Sequence, residues 1–272
     1  MALVTITRSI GCGESDIAQR VARSLKVKLY DDFELKESAL YMGIRSEDLK
    51  SLDEKAPGFF DRLLSRTPEL YLDLMEAVVY EVAQTGEGVI IGHGSQFLLR
   101  DFGCALHVLI HAPRSIRIQN IVGEQGIAED AAEKLVIKSD NQQRGFFRYA
   151  FNLSLFDPSL YDLVINTQKM GDDSAVRMIT EAAGSDEVKS CSLSAVDTMK
   201  RRSLEKQIKA ALIEKDINVS ILHIEVPEPD IVQVGGFAHS NEDRNRILRT
   251  LNTLSGVKEV RSEITIMPST GD

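Results

Sequence analysis

Residues 3–22 read LVTITRSIGCGESDIAQRVA: an apolar, β-branched run, a turn with two glycines, then apolar residues at helical spacing. Residues 3–8 predict a buried strand, and Ile17, Val21, Ala22 and Leu25 predict an amphipathic helix over about 14–25. A strand passing through glycines into a helix is how a phosphate-binding loop is built, because the first helical N–H groups have no partner inside the helix. Gly11 and Gly13 let the backbone wrap closely around an anion. The lysine that normally reaches the terminal phosphates is absent. Glu14 stands in its place, while Ser15 sits where the magnesium-binding hydroxyl belongs. Many strand–helix turns carry two glycines for geometry alone, so the loop by itself leaves both readings open.

Glu14 is unwelcome beside a phosphate. Two like unit charges about 4 Å apart repel by roughly 4 kcal/mol near a protein surface. Its side chain must turn away, be neutralised by an arginine, or help hold a cation. Arg8 offers positive charge just before the loop, or is simply a solvated strand end.

Working outward, VKLYDD predicts a second strand, and PELYLDLMEAVVYEVAQTG a helix with Pro68 near its start and Gly86 just past its end. GVIIGHG and ALHVLIHAP predict further strands. RSIRIQNIVGEQG and AEDAAEKLVIKSDNQQRGFFRYAFN predict helices, YDLVINT a fifth strand, and SAVRMITEAAG a closing helix. Residues 34–66 read as short helical pieces broken at Gly43, Pro57 and Gly58. Short apolar strands alternating with helices predict an α/β fold, a five-stranded parallel sheet covered on both faces. GSDEVKSCSLSA then reads as a linker, and beyond it a helix, two strands, a helix and a strand predict a small α+β domain. The expected boundaries are 1–184, a linker at 185–196, and 197–267.

Composition excludes several classes. The chain of 272 residues is 43% hydrophobic and 27% charged, as expected of a soluble globular protein. A net charge of −9 argues against a general nucleic-acid binder. No apolar run reaches membrane-span length, and the N-terminus lacks the pattern of a signal peptide. Cys12, Cys104 and Cys191 are scattered without paired spacing for zinc or a disulfide framework, so a reduced cytoplasm is the expected setting.

The order of segments over residues 3–169 resembles the cytidylate kinase-like family. ITRSIGCGESDIAQRVA follows that family's opening strand, S-R-Q-x-G-S-G-G-R-E and helix, with Arg8, Gly11, Gly13 and Asp16 matching. Glu14 replaces a glycine and Ser15 an arginine. KLYDDFEL, VIIGHGSQFLLRD, ALHVLIHAPRSIRI and DPSLYDLVINT fit later segments, and EDAAEKLVIKSDNQQRGFFRY fits the lid. The resemblance implies ATP-dependent phosphoryl transfer with Mg²⁺ to a (d)CMP-type acceptor. It places donor phosphates on Arg8, Gly11, Cys12, Gly13, Glu14 and Ser15, with Ser15 also at the metal. It makes Lys138, Arg144 and Arg148 the lid cations, oriented by Asp140, with Phe146 and Phe147 packing the lid. Arg117 falls where related kinases contact the donor nucleotide, or on the surface. Asp31, Lys36 and Arg62 or Arg66 fall in the acceptor region. His93 replaces a family arginine, and either touches the acceptor phosphate or is a satisfied buried histidine.

Residues 197–267 resemble a BON domain, through IVQVGGFAHSNEDRNRILRTLNTLSGVKEVRSEITIM. That resemblance implies an interaction module. Homo-oligomerisation, a protein partner or intramolecular regulation is expected of it, and membrane binding is not. Glu14, Ser15 and His93 each remove a positive charge near the expected phosphates. A second reading therefore stands beside the kinase: a nucleotide-binding sensor or adaptor without turnover, its output carried by the BON-like domain. A third has no nucleotide site.

Overall fold

The computed structural model describes residues 2–13, 16–42, 44, 68–188 and 191–267. Glu14, Ser15, Arg62 and Arg66 lie outside the described residues, as does most of the broken helical stretch read over 34–66. The chain divides into two compact units, Met1–Glu34 with Thr85–Ser192, and Leu35–Gln84 with Leu193–Asp272. This division interleaves the sequence, whereas the boundaries read from composition and pattern are contiguous.

The first unit is a parallel sheet. Its strands are β1 (Leu3–Arg8), β2 (Leu29–Tyr30), β3 (Gly88–Ile91), β4 (Ala105–His111) and β5 (Leu163–Asn166), in the order β2-β3-β1-β4-β5. β1 is central: Leu3 pairs with Gly88 on one side and with Ala105 on the other. Its side chains from Leu3 to Thr7 are buried on both faces, which explains the near-continuous apolar run in the sequence. Helix α1 (Ile17–Leu25) buries Ile17, Ala18, Val21 and Ala22 against this sheet. Each fully buried aliphatic side chain contributes about 1.5–3 kcal/mol. The chain leaves β1 toward one edge and β4 toward the other, so the two strands flank the switch point where parallel α/β sheets bind ligands.

Helices α4 (Ser95–Leu98), α5 (Arg114–Gln125), α6 (Glu129–Phe151) and α7 (Thr167–Ala183) complete this unit; α2 (Asp32–Tyr41) is assigned to the second unit from Leu35 onward, as is α3 (Pro68–Ala83). Helix α7 begins earlier than SAVRMITEAAG suggests. Asn166 caps a first turn by accepting from the Gln168 N–H, and Gly171 (φ 64°, ψ 160°) then kinks the chain before the main helix.

The cysteines overturn the expectation drawn from their spacing. Cys104 and Cys191 form a disulfide, with Cα atoms 4.8 Å apart across 87 residues, while Cys12 is free and buried. No local spacing announces the pair, because the fold brings the start of β4 beside the segment that follows α7. Cysteine count therefore gives no argument for a reduced compartment.

In the second unit, β6 (Leu222–Glu228), β7 (Ile231–Ala238) and β8 (Glu259–Ile266) form a three-stranded sheet, antiparallel between β6 and β7 and parallel between β7 and β8. The β6–β7 turn at Pro229–Asp230 places Asp230 at φ 73°. Helices α8 (Leu193–Glu214) and α9 (Asn241–Asn252) cover one face through Leu204, Ile208, Leu212, Ile247 and Leu251. Ser240 caps α9 by accepting from the Asp243 N–H. Helix α3 lies along α8, where the buried Ser203 hydroxyl donates to the Ala77 carbonyl at 3.0 Å. Among the described residues no helix is long and apolar enough to cross a membrane.

Candidate active site

The loop after β1 is held from behind by the two helices that follow β4. Gln143 Nε2 of α6 donates to the Arg8 carbonyl at 3.2 Å. Arg117 Nη1 of α5 reaches the Ile10 carbonyl at 3.4 Å, and Asn120 Nδ2 reaches the Gly11 carbonyl at 2.9 Å. Three carbonyl contacts, at residues 8, 10 and 11, turn the acceptor side of the backbone toward the helices. Gly11 (φ +76°) must be glycine, since a Cβ there would lie 2.6 Å from the Arg117 carbonyl oxygen. Gly13 (φ +68°) lies in the left-handed region that favours glycine, with the Asp172 carboxylate in the space a side chain would enter. Cys12 is fully buried, and burial pushes its thiol up from the ordinary value, with Arg117 opposing less strongly. It is a packed residue of the loop, not an exposed nucleophile.

Arg117 is not a surface residue. Its guanidinium forks onto Asp140 of α6 at 2.8 and 2.7 Å, and both side chains are about 95% buried or more, at 5% and 3% exposure. Those hydrogen bonds hold the guanidinium still more firmly protonated. Asp140 therefore engages Arg117 through both oxygens, correcting the expectation that it orients the lid cations. Lys138, Arg144 and Arg148 are exposed on α6, and none of the three forms an ion pair among the described residues. Arg144 lies over the Phe156 ring, 5.4 Å from its centroid. Phe146 and Phe147 are buried against Phe151 and pack α6.

On the acceptor side, Asp31 works as a helix cap. Its Oδ1 accepts from the N–H groups of Phe33 and Glu34 at 3.0 Å each. Asp32 receives His93, with Nε2 3.1 Å from its Oδ1. His93 is 2% exposed and sits at φ 54°, between two glycines that are also at positive φ. The structure thus brings a buried His93 to a half-buried Asp32. Lys36 is half-buried on α2. Among the described residues no group of three His, Cys, Asp or Glu side chains is placed to hold a metal ion.

Residue-by-residue reasoning missed Asn120, Gln143 and Asp172. Asn120 had a signal: it stands three residues after Arg117, on the same face of α5. Asp172 had none, since its place beside Gly13 depends on the packing of α7 against α1.

Five parallel strands in this order, with a glycine loop after the central one, define a P-loop kinase-like protein. Residues 3–169 match the Cytidylate kinase-like family, and the chain belongs to it. It is 26% identical over 182 residues to the cytidylate kinase of Desulfurococcus amylolyticus, a match covering 66% of this chain and 91% of that protein. Identity to the cytidylate kinase of Staphylothermus marinus is 26% over 183 residues, with 66% and 96% covered. A crystal structure of an uncharacterized protein from Eubacterium ventriosum shares the fold with a TM-score of 0.52 at 18% identity, covering 68% of this chain and 99% of that one.

Proposed function

We propose that the chain is a nucleoside monophosphate kinase that moves the terminal phosphoryl group of ATP to a CMP- or dCMP-like acceptor, working through a P-loop without its lysine. The observation that carries this reading is the loop itself: the carbonyls of Arg8, Ile10 and Gly11 all accept side-chain N–H groups from α5 and α6. Carbonyl dipoles withdrawn in this way no longer oppose an incoming anion, so the backbone fits a phosphate chain. Amides between Gly11 and Ser15 would hold the donor phosphates. Mg²⁺ would be held by the Ser15 hydroxyl together with the phosphates and water, the usual manner for this ion. Bound there, it neutralises charge on the outer phosphates.

Phosphoryl transfer asks for positioning and charge neutralisation more than covalent chemistry. Lys138, Arg144 and Arg148 would meet the migrating group when the lid closes, excluding water. Their lack of ion-pair partners among the described residues leaves them available. The Asp32–His93 pair would border the acceptor, with Asp31 fixing the start of α2. The BON-like region is proposed to regulate this reaction or to carry an oligomeric or protein contact. A cytoplasmic location belongs to the same proposal, and the Cys104–Cys191 disulfide counts against a fully reduced setting.

One observation favours the sensor reading instead. Arg117, placed where relatives are expected to contact the donor, is committed to Asp140. The two readings separate by ADP formation with Mg-ATP across a panel of nucleoside monophosphates. The kinase reading expects a phosphorylated acceptor, and Arg144→Ala should lower kcat tenfold or more with less than a threefold change in ATP Kd. Binding without transfer across the panel would establish the sensor.

A further inference from the structure

We propose that the Cys104–Cys191 disulfide is a redox-controlled staple on two chain crossings, opened and closed by thiol–disulfide exchange with a dithiol. The chain passes between the two compact units at Glu34–Leu35, Gln84–Thr85 and Ser192–Leu193. The disulfide lies wholly within the first unit, beside the last two of these crossings. Cys191 immediately precedes Ser192, the residue before α8. A Cβ built on Gly86, in the turn that follows α3, would lie 3.5 Å from the Cys191 Cβ and 3.9 Å from its Sγ.

The two ends of the bond are held differently. Cys104 is buried in the turn that opens β4, where its N–H donates to the Phe102 carbonyl at 2.7 Å. Cys191 is partly exposed. Leu193, which opens α8, is 85% exposed, so burial of that side chain does not hold the crossing. On the α3 side, the Thr85 hydroxyl donates to the Glu87 carbonyl at 2.7 Å, and the Gly88 N–H to the Ala2 carbonyl at 3.0 Å. The bond thus ties the entry to α8 to the start of a central strand, with the turn after α3 packed on the same cysteine.

Where cellular thiols are kept reduced, disulfides are rare, and those that form are usually transient or redox-sensing. A reductant thiolate attacks Sγ of Cys191, the more exposed cysteine; the S–S bond breaks, and Cys104 leaves as a thiolate that takes a proton. The second thiol of the reductant then displaces Cys191 from the mixed disulfide. The reductant ends as a disulfide and both cysteines as thiols. Opening frees Cys191 and loosens the two crossings. A consequence for catalysis rests on the kinase reading above: α2 starts at the Asp32–His93 pair and passes into the second unit at Leu35.

The test is hydrogen exchange, read by mass spectrometry, on full-length protein purified without reductant and then treated with dithiothreitol. Before treatment, peptide mapping should find Cys104 linked to Cys191. Reduction should speed exchange at residues 85–88 and 192–195 about tenfold or more, leave 106–110 of β4 protected, and reverse on reoxidation. Cys191→Ser should exchange fast at both crossings without reductant and not respond to it. Absence of the linked peptide overturns the proposal, as does unchanged exchange at the crossings. Loss of β4 protection along with them also overturns it, because opening would then require unfolding. In the transfer assay, reduction should raise the KM for CMP about threefold or more with less than about a twofold change in ATP Kd. An unchanged KM overturns the link to the acceptor. No transfer in either redox state overturns the kinase reading, while the exchange result still decides the staple.

Discussion

Among the described residues, two of the places where a cation on carboxylate joins a pair of helices are built differently. Between α5 and α6, Arg117 meets Asp140 in a two-bonded fork with both groups nearly dry. Between α3 and α8, Lys206 is shared by Asp73 at 2.9 Å and Glu76 at 2.8 Å, with 25% of the lysine side chain still exposed. Burial opposes the Lys206 charge, yet Glu76 and Asp73 together hold its ammonium well above the ordinary lysine range. A guanidinium fork fixes distance and angle at once, whereas an ammonium is a point charge that tolerates several partners. The first arrangement suits a place where the loop backbone must be held to a fraction of an ångström, and the second a helix–helix seam. Because Asp140 serves Arg117, it is not a partner for Lys138, Arg144 or Arg148 on its own helix.

The comparison can be broken most directly at the dry pair. Arg117→Ala should cost about 3–5 kcal/mol, since it strands a buried carboxylate. Urea unfolding of Arg117→Met with Asp140→Leu should recover most of that loss. A loss under 1 kcal/mol for Arg117→Ala would show that Asp140 reaches water. Next in size, Cys104→Ser should remove about 2–4 kcal/mol by freeing the closed loop, and a dithiol reductant should reproduce the shift in the wild type but not in the variant. At the wetter seam Lys206→Met should cost about 1–3 kcal/mol, partly offset by acidifying the buffer. Parity with Arg117→Ala would remove the distinction between fork and point charge.

The smallest effect is a pH slope. Burial lowers His107 below its ordinary 6.5, outweighing Asp162, and burial with Arg117 lowers His111. Below that value the unfolded chain binds protons that the folded chain refuses, so stability falls as pH drops through the window under about 6.5. The slope is at most about 1.4 kcal/mol per pH unit for each histidine. His107→Gln should flatten it, and an unchanged slope would assign it elsewhere.

Much of the fold was legible because it is written locally. Continuous apolar runs at Leu3–Arg8 and Ala105–His111 became central strands, and the spacing of Ile17, Val21 and Ala22 became the buried face of α1. Helix starts were less clear: SAVRMITEAAG hid the early turn of α7, which depends on the cap at Asn166 and the kink at Gly171. At the candidate site, the loop glycines could be named from the chain, but the groups packed against them could not. Asp140 looked like a partner for cations on its own helix and instead serves Arg117, 23 residues away.

By itself the sequence determined the alternation of strands and helices, the glycine loop, its missing lysine, and the change of pattern beyond residue 184. Those are matters of dihedral preference and apolar period, which act over a few residues. Tertiary structure alone decided that Asp172 lies on Gly13, that Arg117 binds Asp140, that His93 reaches Asp32, that Cys104 bonds Cys191, and that α3 packs on α8. Each of these joins groups far apart in the chain, and such pairings are chosen by the packing of the whole unit, where one buried charge or one missing Cβ must be answered by whatever the fold brings beside it.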